Sequence, residues 1–234
     1  MALPIRGQGK VLRVDRPTGN SDRSGVRAGN ERAARAALKR CLWFLLSVPL
    51  LAGATLAGAT DWPSYGNDPG SSKYAPLDQI HAGTVDKLQI AWIWESPDNA
   101  MVQADRKLTP IGFKSTPIKI GDTLYISTSL GHVAALEPRS GKQKWLFDTE
   151  TYRQGRPTNL GFNHRGVGFY ASGGRQRVLM PTNDARLWSL DAGTGRPDPE
   201  FGENGVVDLT IGLGREVDRK QYSVMSAPMV VGGT

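Results

Sequence analysis

The residue types most often used for metal binding and redox chemistry are scarce in this sequence. None of the three histidines has the spacing of metal ligands: His81, His132 and His164. The only cysteine is Cys41, so the chain has no cysteine pair for a disulfide or a metal site. The glycines at 212 and 214 follow no strand–helix pattern, which argues against dinucleotide binding. We therefore predict no metal site within this chain.

The net charge of +7 is concentrated near the N-terminus. Residues 1–59 contain 10 lysines and arginines but only 3 acidic residues, whereas residues 60–234 contain 19 of each kind. The later part is therefore formally neutral, and it contains no basic tract or stripe that could contact a phosphate backbone. This distribution predicts that nucleic acid is not a partner.

The basic N-terminal part has the pattern of a targeting segment. Four basic residues precede an apolar run, "CLWFLLSVPLLAGATLAGA": Arg32, Arg35, Lys39 and Arg40. The run ends in Ala57-Gly58-Ala59, which predicts a signal peptide over residues 32–59 with cleavage after Ala59. Its strongly apolar part is short for a bilayer, which needs about 20 residues; an uncleaved membrane anchor is the alternative. Residues 1–31 lack apolar patterning and are either a disordered leader or a misassigned start.

Beyond residue 85, short apolar runs alternate with glycine, proline, aspartate and asparagine turns. The stretch "KLQIAWIWE" (residues 87–95) predicts one strand. Residues 115–148 predict four more, with apolar runs at Ile118, Leu124 to Ile126, Val133 to Leu136 and Lys144 to Phe147. No segment after residue 60 has a convincing helical period. The sequence therefore predicts an all-β fold.

The strands form a repeating unit. Shifted by 54 positions, residues 125–141 align without a gap on residues 179–195. Matching residues include Thr128 with Thr182 and Gly141 with Gly195, and a third unit begins near Pro228. A recurring four-stranded unit of this size is typical of a β-propeller blade. We therefore predict that residues 60–234 form an incomplete β-propeller of about two blades and the start of a third.

One spacing within the first unit has a structural interpretation, Glu137-x3-Gly141-x3-Trp145. The acidic residue caps a turn, Gly141 supplies a positive φ, and Trp145 presents a flat surface to the next blade. In the second unit Pro199 replaces the tryptophan. Docking beyond the second blade must therefore differ.

These features resemble the quinoprotein dehydrogenases, periplasmic or membrane-associated enzymes that use pyrroloquinoline quinone (PQQ) and a calcium-type ion. Four further stretches agree in order: "WPSYGNDPGSSKYAPLDQI", "TPIKIGDTLYIST", "NHRGVGFY" and "FGENGVVDL". The resemblance covers residues 61–234 and is closest to the glucose and polyol dehydrogenases. It implies an eight-bladed ring, in which residues 60–80 wrap the outside and residues 87–95 pair with the last blade to close it.

The resemblance also implies two cofactor-binding residues. Arg165, in "NHRGVGFY", matches an arginine that points at the quinone carbonyls, where a permanently charged group donating two hydrogen bonds is suitable. The alternative is a surface arginine on a loop. Thr182 matches a threonine that bonds the cofactor, and the alternative is a strand-end hydroxyl that caps a turn.

Two positions depart from the family pattern. Lys114 occupies the place of a glutamate that often precedes the "TP" of the first blade and contacts the cofactor. A lysine there could pair with a PQQ carboxylate. His164 stands where many members have a cysteine. It could donate to the quinone or be an exposed, hydrogen-bonding histidine.

The resemblance implies the N-terminal portion of a periplasmic PQQ-dependent dehydrogenase. Such an enzyme oxidises an alcohol, polyol or aldose sugar and passes electrons to ubiquinone or a cytochrome. The Ca²⁺ ligands and the catalytic aspartate are expected beyond Thr234, so we predict no catalytic residue in this chain and no activity for the chain alone. The alternative is a non-catalytic propeller scaffold of the cell envelope built on the same repeats.

Overall fold

The computed structural model describes residues 8–13 and 60–230, so the predicted signal peptide lies outside the described residues. Two four-stranded antiparallel sheets dominate it, each with its strands in chain order. The first contains β3 (Ile118–Ile120), β4 (Thr123–Ser127), β5 (His132–Leu136) and β6 (Gln143–Asp148). The second contains β7 (Gly168–Ser172), β8 (Arg175–Pro181), β9 (Arg186–Asp191) and β10 (Val206–Asp208). Before them, β1 (Gln8–Arg13) pairs with β2 (Gln89–Glu95).

This arrangement confirms an incomplete β-propeller with two complete blades. The four strands expected in residues 115–148 are all present, and the 54-residue repeat places the second set in the same order. The third unit begins as an extended segment beside β7. There the N–H of Arg165 donates to the carbonyl of Met225 at 3.0 Å, and Gly168 lies against Pro228.

The apolar core lies between the two blades. Its buried members alternate along the strands, so they share one face of each sheet: Ile118, Tyr125, Val133, Ala135, Val178, Met180 and Leu190. Tyr125 also donates its hydroxyl to the carbonyl of Ala192 at 3.1 Å, which joins the first blade to the second. Burial of this tyrosine raises its pKa above the usual value.

A short helix, α1 (Asp98–Ala104), precedes the first blade, and no helical period in the sequence predicted it. Seven residues make only two turns, too few for an apolar period to appear in the sequence. Long-range contacts fix the helix instead. The Asp98 carboxylate accepts a hydrogen bond from the N–H of Leu130 at 2.9 Å and lies 3.0 Å from Nδ1 of His132.

A tryptophan packed on a glycine joins the two blades. Gly195 has a φ of +71°, and a Cβ built on it would lie 2.5 Å from the ring of Trp145. The indole N–H of Trp145 donates to the carbonyl of Ala192 at 3.0 Å. Both the backbone conformation and the contact therefore require glycine. The prediction that Trp145 presents its flat face to the next blade is confirmed.

A second contact of this kind joins β2 to the first blade, and it was not predicted from the sequence. Trp92 of β2 packs on Gly141, whose φ is +71°, and donates to the carbonyl of Pro138 at 2.9 Å. Relative to the first blade, β2 therefore lies where β6 lies relative to the second. The pairing of β2 with a last blade stays a prediction; in this structure Trp92 is opposite Val11 of β1.

The segment between β9 and β10 of the second blade differs from its counterpart in the first blade, as expected from the loss of the tryptophan. Pro199 is exposed, and the residues on either side of it form ion pairs. Asp198 pairs with Arg177, and Glu200 accepts a hydrogen bond from Arg175 at 2.7 Å. The surface beyond this blade therefore combines charge pairs with exposed proline.

His164 is buried where the second blade meets the start of the third. Its side chain is 0% exposed, and within the described part of the chain neither ring nitrogen has a hydrogen-bond partner. Burial lowers the pKa of this imidazole to about 4, although the carboxylates of Asp98 and Asp184 oppose the shift. The ring is therefore neutral near pH 7.

The glycine requirement can be tested with two alanine substitutions. Gly195→Ala and Gly173→Ala both place a side chain at positive φ, but only Gly195 faces a neighbouring ring. We expect Gly195→Ala to lower the free energy of unfolding by about 1–3 kcal/mol more than Gly173→Ala, because the added methyl displaces Trp145. Urea unfolding followed by tryptophan fluorescence measures both values. Equal losses would contradict the docking role.

The burial of His164 predicts a pH-dependent stability. The unfolded chain binds a proton near the ordinary pKa of 6.5, whereas the folded chain binds it only near pH 4. Stability should therefore fall as the pH is lowered through this window, by up to about 3 kcal/mol. His164→Gln should flatten this part of the urea-midpoint profile, while His81→Gln at the exposed surface should leave it unchanged. A wild-type slope in His164→Gln would disprove the assignment.

Candidate functional site

The residues singled out from the sequence meet at one end of the two sheets. This end, here named the entry face, consists of residues 112–117, 161–167 and 218–228 together with the β4–β5 and β8–β9 turns. Backbone hydrogen bonds join its parts: Thr116 N–H to Arg165 C=O at 3.0 Å, Arg165 N–H to Met225 C=O at 3.0 Å, and Val224 N–H to Thr182 C=O at 3.2 Å. The entry face therefore brings all three repeat units together.

The His-Arg-Gly-Val stretch is explained by its position between these units. Arg165 uses both its backbone N–H and its carbonyl to join the neighbouring segments. Gly166 has a φ of +142°, and a Cβ there would lie 2.9 Å from the carbonyl oxygen of Thr116. Val167 is buried. Only glycine allows this close approach. The approach holds the backbone of Arg165 beside that of Thr116.

The side chain of Arg165 is exposed, in contrast to its neighbours. Residues 161–164 and 166–168 are all buried, so Arg165 is the one exposed residue of this stretch. Its guanidinium makes no hydrogen bond or ion pair with any described residue. Exposure alone also fits a surface arginine on a loop. However, the two backbone hydrogen bonds distinguish Arg165 from a residue on an unanchored loop.

Thr182 lies at the entry face, but its hydroxyl is used inside the β8–β9 turn. It accepts a hydrogen bond from the N–H of Arg186 at 3.2 Å and contacts the carboxylate of Asp184. Thr128, its counterpart in the first blade, accepts from the N–H of His132 at 3.0 Å. The repeated geometry is that of a strand-end cap, the alternative given above. A contact of Thr182 with a cofactor stays a prediction.

Lys114 extends from the segment that leads into β3. Its side chain is exposed and, like Arg165, has no partner among the described residues. Phe113 beside it is 39% exposed, so an aromatic ring is also accessible here. Residues 112–117 and 161–167 of the entry face thus present two cations without a partner among the described residues, together with an aromatic surface, a donor set suited to a planar anion.

Other arginines of the entry face are neutralised by protein groups. Arg186 pairs with Asp184, and Arg219 pairs with Asp208 while donating to the carbonyl of Asp184 at 2.9 Å. The pKa of Asp208 is lowered to about 2, first by a hydrogen bond from Thr210 and next by Arg219. These side chains hold the loops in place and offer little free charge.

The structure corrects one expectation for His164 and reveals polar groups that the sequence did not. His164 is not an exposed histidine, because its ring is fully enclosed. Nearby, Asn163 Oδ1 and the side-chain amide of Asn183 also lack partners among the described residues. No sequence signal marked Asn183, whereas Asn163 precedes a motif that did draw attention.

A network of polar side chains around His132 supports the first blade at the same end. His132 lies 3.0 Å from Asp98 and 3.6 Å from Asp148, which accepts a hydrogen bond from the Tyr152 hydroxyl at 3.1 Å. The sequence analysis missed this network because Asp98 and His132 are 34 positions apart. It attaches α1 to the β4–β5 turn.

The described residues contain neither a cluster of metal-ligating side chains nor a membrane-spanning helix. Across residues 8–13 and 60–230, no three histidine, cysteine, aspartate or glutamate side chains are grouped so that they could hold a metal ion. Within the same residues, no helix has the length and apolar character needed to span a membrane.

Comparison with known proteins identifies the family. The pattern of the PQQ glucose/ethanol/alcohol dehydrogenase beta-propeller domain matches residues 62–234. The chain is 33% identical over 163 residues to the quinoprotein glucose dehydrogenase of Escherichia coli (strain K12), covering 64% of this chain and 20% of that protein. It is 29% identical over 180 residues to the glycerol dehydrogenase large subunit of Gluconobacter thailandicus, covering 74% and 24%.

A solved structure agrees with these sequence matches. The quinohemoprotein alcohol dehydrogenase from Comamonas testosteroni superposes with a TM-score of 0.55 at 27% identity, over 74% of this chain and 22% of that one. The chain thus spans about a fifth to a quarter of the length of these relatives. With two propeller blades and a family pattern over residues 62–234, the chain belongs to the PQQ-dependent glucose/ethanol/alcohol dehydrogenase β-propeller family.

Proposed function

We propose that the protein carrying this chain is a PQQ-dependent dehydrogenase that oxidises a hydroxyl group of an alcohol, polyol or aldose sugar. The names of its relatives support this range, since they include glucose, glycerol and alcohol dehydrogenases. Electrons would pass to ubiquinone or a cytochrome. A calcium-type ion and a catalytic aspartate from later blades are part of the same proposal. The chain alone would then be inactive.

The single observation that carries the proposal is the free guanidinium of Arg165 on a fixed backbone. PQQ is a planar ortho-quinone with three carboxylates, and when bound it accepts two electrons from the substrate. Arg165 and Lys114 supply unpaired positive charge, and Phe113 supplies an accessible ring. This donor set fits the anionic, planar character of the cofactor.

Each of the two predicted cofactor residues would have a distinct task. Arg165 would donate to the quinone oxygens, where it would stabilise negative charge that develops on reduction. Two backbone hydrogen bonds hold it in place, so little reorganisation is needed. Thr182 would support the site by keeping the β8–β9 turn closed through Arg186.

The proposal includes export to the periplasm. The basic residues before the apolar run, and the Ala57-Gly58-Ala59 pattern after it, support a signal peptide over residues 32–59. Retention of this segment would instead anchor the protein in the inner membrane. Both outcomes would place residues 60–234 on the periplasmic side.

Substitution of the two predicted cofactor residues tests the proposal. In the full-length natural protein, we expect Arg165→Ala to weaken PQQ binding about 10- to 100-fold, because charge-assisted hydrogen bonds are lost. Thr182→Val should mainly lower the melting temperature, since its hydroxyl caps a turn. Quenching of tryptophan fluorescence during a PQQ titration gives the affinities.

The matched control is Arg139→Ala, which removes an exposed arginine from the β5–β6 turn, remote from the entry face. It should bind PQQ as tightly as the wild type. Unchanged affinity in Arg165→Ala would refute the assigned role. A wild-type protein without specific PQQ binding would instead support the envelope scaffold.

A further inference from the structure

The backbone that carries Lys114 is held in place on both sides of this residue. Three hydrogen bonds fix residues 112–116: Ser129 Oγ to Gly112 C=O at 2.9 Å, Ser115 Oγ with Ser127 Oγ at 2.9 Å, and Thr116 N–H to Arg165 C=O at 3.0 Å. Such anchoring limits the conformations available to the backbone. The lysine side chain is therefore presented from a fixed position.

The last of these hydrogen bonds also makes Lys114 a neighbour of Arg165. Thr116 follows Lys114 by two residues and bonds directly to the backbone of Arg165, so the two cations extend from adjacent segments of the entry face. Both are exposed and neither is paired within the described part of the chain. The entry face therefore carries two positive charges on segments that a backbone hydrogen bond joins directly.

The remaining arginines around this face are bound to protein oxygens. Their partners are the carbonyl of Thr109 for Arg156, Asp184 for Arg186, and Asp208 for Arg219. Lys220 has no such partner among the described residues, and neither do Lys114 and Arg165, which lie on the two segments joined by the Thr116–Arg165 hydrogen bond. Neighbouring cations repel each other, and an anion that contacts both removes this repulsion.

We propose that Lys114 is a cofactor-binding residue that forms an ion pair with a carboxylate of PQQ while Arg165 faces the quinone oxygens. This inference rests on the proposed function. A lysine ammonium is a compact point charge with three donors, so it can pair with a carboxylate without the planar alignment that a guanidinium requires. The exposed ring of Phe113 provides an adjacent apolar surface for the flat cofactor.

The test compares PQQ with its trimethyl ester, which keeps the quinone but lacks carboxylate charge. In the full-length natural protein, we expect Lys114→Met to weaken PQQ binding about 10-fold or more and to leave binding of the ester unchanged. Lys114→Arg should retain most of the PQQ affinity. Lys142→Met removes an exposed lysine from the remote β5–β6 turn and should bind both ligands like the wild type. Isothermal titration calorimetry measures each dissociation constant.

The outcomes separate this inference from the proposed function. If Lys114→Met binds PQQ as tightly as the wild type while Arg165→Ala does not, the ion pair is refuted and the cofactor assignment stands. If Lys114→Met loses PQQ and the ester equally, the lysine acts through structure and the inference is also refuted. If the wild type binds neither ligand, both the inference and the proposed function are wrong.

Discussion

The contact between an indole ring and a glycine at positive φ determines how neighbouring blades sit. It occurs twice, with Trp92 on Gly141 and Trp145 on Gly195, and each indole N–H donates to a carbonyl of the turn it covers. A Cβ at either glycine would collide with the ring. The flat contact therefore sets the distance between adjacent sheets, and the apolar core between them fills the space that this distance leaves.

The spacing of the blades in turn determines the geometry of the entry face. Because adjacent sheets are close at their inner strands, the segments leading into β3 and β7 can exchange a backbone hydrogen bond from Thr116 to Arg165. Gly166, which follows Arg165, permits this close approach because it has no Cβ to collide with the carbonyl oxygen of Thr116. The backbone that carries the guanidinium of Arg165 is thereby fixed in place. Structural residues away from the entry face thus control how precisely the backbone of Arg165 is placed.

Much of the local structure could be predicted from short sequence patterns. The hairpin turn at Gly141, the acidic cap Glu137 and the flat surface of Trp145 depend on residues within about ten positions of each other, and the structure confirms all three. The 54-residue repeat then extends the prediction from one blade to the next. Local chemistry and repetition were sufficient for the fold.

The features that escaped prediction depend on contacts between distant positions. Trp92 precedes the first complete blade, so no repeat aligned it with Trp145. Helix α1 is stabilised by the contact between Asp98 and His132, and no local apolar period in the sequence predicts the helix. For His164, the motif suggested chemistry, but no sequence pattern predicted that its ring would be fully buried. The sequence placed Thr182 at a turn, yet only the coordinates show that its hydroxyl is used there.

The central claim is that the entry face holds PQQ through the free guanidinium of Arg165. The most direct measurement is a high-resolution structure of the full-length natural protein after incubation with PQQ and Ca²⁺. The account predicts electron density for the planar cofactor over the entry face, with nitrogen atoms of Arg165 within hydrogen-bond distance of the quinone oxygens, about 3 Å. Cofactor density elsewhere in the propeller, with Arg165 still facing solvent, would contradict it.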